Sequence, residues 1–231
     1  MTKGVDKVYG YCFGCHEKPW SPLPEMTPQE RRAQELAAEA FQALPPTLPA
    51  DMTSELPSAA VLWLSVAGLN HYDILRHGFG YSPKMDRVIM PVYRDGELVA
   101  VQARALRKGQ IPKYLGQVKE GPRPVFVVEA KEHCTGLVLT EDMLSAARVG
   151  KVNDAWALLG TNLSPATLSE IMDSHYDDIY IWMDDDPAGW AARRKIKKAL
   201  QLAPQKVHLI KSDRDPKKHS LEEIQALIGK D

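Results

Sequence analysis

No apolar run in this 231-residue sequence approaches the roughly 18 residues needed to cross a bilayer, and Met1 leads into polar residues rather than an apolar signal segment. A membrane-spanning helix and a secretory leader are therefore not expected, and a cytoplasmic protein is. Cysteine is scarce: three residues, an odd number, exclude a secreted disulfide framework and leave Cys12 and Cys15 as the only close pair. No G-x-x-x-x-G-K-[ST] segment occurs, so no P-loop motor is present in this sequence. Nor does one sign of charge dominate, since the net charge is −1. With 44% hydrophobic and 26% charged residues, what remains is an ordinary globular composition, enough for one or two compact domains.

The balanced total hides local asymmetry. Between Val101 and Lys119 stand Arg104, Arg107, Lys108, Lys113 and Lys119 with no acid among them, and Gly189 to Lys218 is also strongly basic. Such stretches either hold phosphates or form solvated faces. Along the chain, residues 1–18 form a short polar start with Cys12, Cys15 and His16. Residues 19–57 hold eight of the seventeen prolines and read as a linker. Inside it, Thr27-Pro28-Gln29-Glu30 spells an N-cap, a first-turn proline and the reciprocal glutamate of a capping box, followed by an alanine-rich helix that Pro45-Pro46 stops.

From residue 58 to 124 the sequence predicts a basic α+β subdomain. Helical patterns over Ala59–Leu69 and Asn70–His77 precede two extended runs, Arg87–Tyr93 and Leu98–Arg104, joined by Asp95-Gly96, a good hairpin signal. From 125 to 231 a strand at Val125–Val128 leads into four strand–helix units, beginning at Leu137, Ala155, Ile179 and Val207. That rhythm predicts a parallel sheet flanked by helices, an α/β fold whose chemistry gathers at the strand C-terminal ends.

Those ends are acidic. Ile179-Tyr180-Ile181-Trp182-Met183 runs straight into Asp184-Asp185-Asp186, and other strand ends carry Glu141, Asp213 and Asp215. Residues i and i+2 of an extended chain face one side, so Asp184 and Asp186 are expected to converge while Asp185 points elsewhere. With Glu141 they make an oxygen-rich pocket for a hard divalent ion, Mg²⁺ or Mn²⁺. Asp186 also stands where it caps a helix begun by Pro187.

Leu139-Thr140-Glu141, Leu159-Gly160-Thr161 and Ile181-Trp182-Met183-Asp184-Asp185-Asp186-Pro187-Ala188-Gly189 together resemble the TOPRIM domain, marked by a glutamate after one strand and Asp-x-Asp after another. Upstream, Trp63-Leu64, Gly68-Leu69, Gly78-Phe79-Gly80-Tyr81-Ser82-Pro83, Arg87–Val92, Gln102-Ala103-Arg104 and Lys113-Tyr114-Leu115 resemble the subdomain that precedes TOPRIM in DnaG-type primases and in the primase half of phage primase-helicases. The resemblance covers residues 56 to 231. Two positions depart from it: Asp142 and Ser145 stand where the family has glycine and aspartate. Cys12-x-x-Cys15 is similar to half of a zinc ribbon, but residues 1–11 supply no second pair, so bound Zn²⁺ is not expected.

The resemblance implies a DNA primase, probing single-stranded DNA and joining ribonucleoside triphosphates into short RNA primers during replication. Glu141, Asp184 and Asp186 would be catalytic and hold Mg²⁺ or Mn²⁺, with Asp215 and Asp213 as further acids. Arg104, Lys113, Arg87 and Lys108 would bind nucleotide or template. The helix Arg193–Lys198 would offer a strip for the DNA backbone. Trp182 and Trp190 would stack on bases or belong to the core. A phage origin and a separate replicative helicase as partner also follow. A TOPRIM nuclease and a non-catalytic DNA-binding descendant of a primase are the rival readings.

Overall fold

The computed structural model describes residues 7–9, 20–22, 27–107 and 110–229. Two short antiparallel strands, β1 (Lys7–Tyr9) and β2 (Trp20–Pro22), precede helix α1 (Pro28–Gln42). The capping box forms as the sequence predicts: the Thr27 hydroxyl accepts from Glu30 N, and the Glu30 carboxylate accepts from Thr27 N at 2.7 Å. Helices α2 (Ser58–Val66) and α3 (His71–Arg76) follow, α3 with its own capping box between Asn70 and Asp73.

Next comes a four-stranded antiparallel sheet in the order β3 (Gly80–Ser82), β4 (Arg87–Arg94), β5 (Glu97–Ala105) and β6 (Tyr114–Val118). The turn between β4 and β5 places Asp95 and Gly96 at φ 50° and 79°, the left-handed pair that a two-residue hairpin requires. α1 lies on one face of this sheet. Its Ala38 and Phe41 meet Ile89, Val101, Ala103 and Leu115, and the rest of the helix is largely exposed.

The second sheet has the strand order β11 (Lys206–Leu209), β10 (Asp178–Ile181), β8 (Gly136–Thr140), β9 (Asp154–Ala157) and β7 (Phe126–Val128). The four strands of the expected strand–helix units are mutually parallel, and β7 closes the far edge antiparallel to β9. Helices α4 (Met143–Val149), α5 (Pro165–Met172), α6 (Pro187–Ala199) and α7 (Leu221–Ile228) complete the α/β layers. Alternation along the strands divides the core. Leu137, Leu139, Ile179 and Ile181 face Ile171, Ala192 and Ile196, whereas Val138, Tyr180 and Trp182 face the other way, toward Met143, Ala146 and Ile224.

That second face is shared. Leu64, Phe79, Val88, Met90 and Val92 from the first half join Val128, Val138, Ala147 and Trp182 in one apolar cluster. α4 adds polar ties: Arg148 donates to Gly68 O and His219 O, and Lys151 reaches Gly68 O at 2.8 Å and the Asp73 carboxylate at 2.6 Å. Among the described residues no helix is long and apolar enough to cross a membrane.

Candidate active site

β8 and β10 lie side by side with Leu139 opposite Ile181, so Glu141 and Asp184 leave the sheet as neighbours. Local structure pins both. A Cβ on Gly189 would come within 2.2 Å of the Asp184 carbonyl oxygen, so only glycine lets the first turn of α6 sit against that peptide. Arg193 is buried and donates to Ile210 O at 3.2 Å, Asp184 O at 3.3 Å and Met183 O at 3.4 Å, tying two strand ends together. The Glu141 carbonyl accepts from Gly160 N at 3.0 Å, in a turn where Leu159 and Gly160 take φ 54° and 143°.

The two carboxylates resist ionisation. Burial, and then the charges of Asp184, Asp186 and Asp142, push the Glu141 carboxyl up to about 7. Burial and then Asp142 push Asp184 up to about 6, against the pull of Lys217. Glu141 Oε2 and Asp184 Oδ1 are buried with no hydrogen-bond donor.

Two residues not singled out as ligands complete the cluster. Asp142 caps α4, its Oδ1 accepting from Leu144 N and Ser145 N, while Oδ2 accepts from Ser145 Oγ at 2.8 Å. Lys217 Nζ donates to Asp142 Oδ2 at 2.6 Å and Asp184 Oδ2 at 3.3 Å and lies 3.7 Å from Asp215 Oδ2. Burial works against the Lys217 charge, but Asp142, Asp184 and Asp215 outweigh it and strengthen its hold on the proton. Asp215 is itself engaged, pairing with Lys218 at 2.7 Å and accepting from Asp185 N at 3.3 Å. Burial raises its carboxyl, yet these partners leave it below the usual range.

The remaining sequence-predicted residues divide. Asp186 is exposed and caps α6, its Oδ1 accepting from Gly189 N at 2.7 Å, within electrostatic reach of Glu141. Asp185 turns away, accepting from Trp190 Nε1 at 2.8 Å. Asp213 stays exposed beside Arg214 and does not join the cluster. Arg104 is half-buried, its guanidinium 5.5 Å over Trp63 and 4.7 Å over Tyr114, with Nε buried and without an acceptor. Lys113 is exposed, its proton affinity lowered first by Arg104 and also by Lys217. Tyr114 feels Asp142, Asp184 and Lys217. The paired strands β5 and β6 therefore bring Arg104 and Tyr114, with Lys113 just before β6, up to the acids.

Arg87 does not face that cleft. It is buried and donates to Ala103 O and Lys113 O, and burial with Arg104 nearby lowers its affinity for the proton to about 10. Of the basic strip on α6, Arg193 is interior. Arg194, Lys197 and Lys198 instead border a surface groove at the far end of α6 from the acids. Trp182 is core and Trp190 half-exposed. Lys108, Cys12 and Cys15 lie outside the described residues.

Residues 140–219 match the family model described as Toprim-like. This segment is a Toprim-like domain. No curated protein matches the chain by sequence. Among solved structures, the Aquifex aeolicus primase, in its zinc-binding and RNA polymerase domains, is 18% identical with a TM-score of 0.62, over 92% of this chain and 64% of that one. The chain thus spans less than two thirds of that relative. The primase fragment of the bacteriophage T7 primase-helicase is 14% identical with a TM-score of 0.57, over 95% of this chain and 88% of that one. The RNA polymerase domain of Mycobacterium tuberculosis primase DnaG is 17% identical with a TM-score of 0.58, over 87% and 83%. At these identities the likeness is one of fold, and it extends well beyond the Toprim-like domain on its N-terminal side.

The Toprim-like domain's acids fit a divalent cation in a particular way. As the side chains stand, no group of three or more His, Cys, Asp or Glu among the described residues is arranged to hold a metal ion. Two buried carboxylate oxygens without donors, on Glu141 and Asp184, nevertheless call for a positive partner. One or two carboxylates, with water and substrate phosphates filling the other positions, is the usual protein share of a Mg²⁺ site.

Proposed function

We propose that this chain is a DNA primase, carrying out templated nucleotidyl transfer that makes short RNA primers on single-stranded DNA for replication. The observation that carries the reading is a pair of charge clusters: Glu141 and Asp184 with unpartnered buried oxygens, and Arg104 on β5 with Lys113 just before its partner β6. The primase folds of the solved relatives support it.

In the reaction, the 3′-hydroxyl oxygen of one ribonucleotide bonds to the α-phosphorus of the next triphosphate as the bond to the leaving pyrophosphate breaks. Glu141 and Asp184 would hold a Mg²⁺ or Mn²⁺ ion, which would make the hydroxyl more acidic and offset charge on the phosphate oxygens. Arg104, fixed between Trp63 and Tyr114, presents a forked donor to triphosphate or template, and Lys113 adds a mobile point charge. Asp186 sets the direction of the α6 N-terminus beside the cleft. Single-stranded DNA and ribonucleoside triphosphates are thus the binding partners, in a cytoplasm. A separate helicase would supply what the T7 protein holds in one chain.

The test is primer synthesis on single-stranded DNA with labelled nucleoside triphosphates and Mg²⁺ or Mn²⁺, wild type beside Asp184→Ala. Short labelled oligonucleotides from wild type alone are expected. Strand cleavage in place of synthesis would replace the reading with a nuclease. DNA binding indifferent to Asp184→Ala, with no product on varied templates, would replace it with a binding module.

A further inference from the structure

Lys217 is the cation nearest the middle of the acidic cluster. It follows Asp215-Pro216 in a single 3-10 turn, Pro216–Lys218, which the proline initiates, and its side chain is only 21% exposed. Its Nζ is 2.6 Å from Asp142 Oδ2 and 3.3 Å from Asp184 Oδ2. A Mg²⁺ ion lies about 2.0–2.1 Å from each ligand oxygen. The ammonium and an ion bridging those same two oxygens exclude one another.

The pairing of the acids leads the same way. Lys217 and Lys218 occupy Asp142 and Asp215. The buried carboxylate oxygens left without a donor are Glu141 Oε2 and Asp184 Oδ1, the latter being the Asp184 oxygen that Lys217 does not meet, so one unfilled place for a cation remains. Asp142 keeps its place without an ion because Leu144 N, Ser145 N and Ser145 Oγ hold it. Ser145 thus stands where the resembled family carries a further acid, and the acid present is one turn of chain earlier, already bonded to a lysine.

We infer that Lys217 takes the place of a second metal ion, so that the carboxylates of this chain bind one divalent cation and not two. The inference rests on the reading of Glu141 and Asp184 as cation ligands. It assigns Lys217 as a specificity-determining residue that sets the metal count while holding Asp142, Asp184 and Asp215 together.

Mn²⁺ titration followed by electron paramagnetic resonance, on the full chain without nucleotide, tests it with a readout independent of activity. One Mn²⁺ is expected on wild type, one on Lys217→Arg, two on Lys217→Met, and none on Asp184→Asn. Asp142→Asn is expected to keep its single ion, because Asp142 belongs to the lysine side. A wild-type count other than one overturns the inference, and so do equal counts on wild type and Lys217→Met. Absence of Mn²⁺ from both proteins overturns the metal reading beneath it as well. Should Lys217→Met fail to fold, the wild-type and Asp142→Asn counts decide: one ion on each supports the inference, and loss of the ion from Asp142→Asn overturns it.

Discussion

Glu141→Gln is expected to stabilise the metal-free protein above neutral pH. The side chain keeps its shape while losing a charge that burial and three neighbouring aspartates oppose. The folded state holds the Glu141 proton more tightly than the unfolded chain does, raising the carboxyl from 4.5 to about 7. Stability from this group is therefore complete below about pH 4.5 and is lost as pH climbs through 7. At about 1.4 kcal/mol per pH unit the loss is about 3 kcal/mol, and partial solvent access reduces it to about 2 kcal/mol. Urea unfolding in a chelator, from pH 4.5 to 8.5, measures it. The Glu141→Gln curve should meet that of wild type at the acid end and lie about 2 kcal/mol above it at pH 8. Saturating Mg²⁺ should then favour wild type, because only the carboxylate offers the ion a ligand. Parallel curves at all pH values would refute the account of the buried charge.

Gly189→Ala brings a methyl group into the Asp184 peptide and should cost about 1–3 kcal/mol in chemical denaturation, with loss of the Asp184-dependent activity. Arg193→Met leaves the carbonyls of Met183, Asp184 and Ile210 without their donor and should lower stability by about 2–3 kcal/mol, read as a shifted unfolding midpoint. Arg104→Lys removes the flat group lying over Trp63 and Tyr114. A rise in KM for nucleoside triphosphates of about tenfold, equivalent to about 1.4 kcal/mol, is expected in primer-synthesis kinetics, with the fold intact by circular dichroism.

Much of this is legible in the sequence because local chemistry and tertiary structure agree. Asp95-Gly96 can make its tight turn with little help, and each strand–helix unit states its own period and its own cap. β6 was not legible. Its inward positions are Leu115 and Gln117, and a glutamine breaks the apolar alternation. Gln117 is tolerated inside because its amide donates to Phe41 O at 2.7 Å and accepts from Thr47 N at 2.9 Å, both far away in sequence. Arg87 and Arg193 look like surface cations for the converse reason: only folding gathers the carbonyls that let a guanidinium be buried. Lys217 sits in a basic run that reads as solvated, and α4, some seventy residues earlier, gives it Asp142. A lysine directly after Asp-Pro, beside an acidic strand end, is the pattern that marks it.

The apolar cluster that runs from Leu64 and Phe79 to Trp182 and Ile224 has a consequence for how the chain can be divided. Cut near residue 124, each half would present to water a face that belongs against the other, and Arg148 and Lys151 would lose Gly68 O and the Asp73 carboxylate. The two sheets should therefore melt in a single cooperative event, and the Toprim-like segment of this protein cannot be transplanted as a free-standing module. The gap between the basic strand and the acids is consequently a fixed dimension of the whole molecule, set by side chains that never touch nucleic acid.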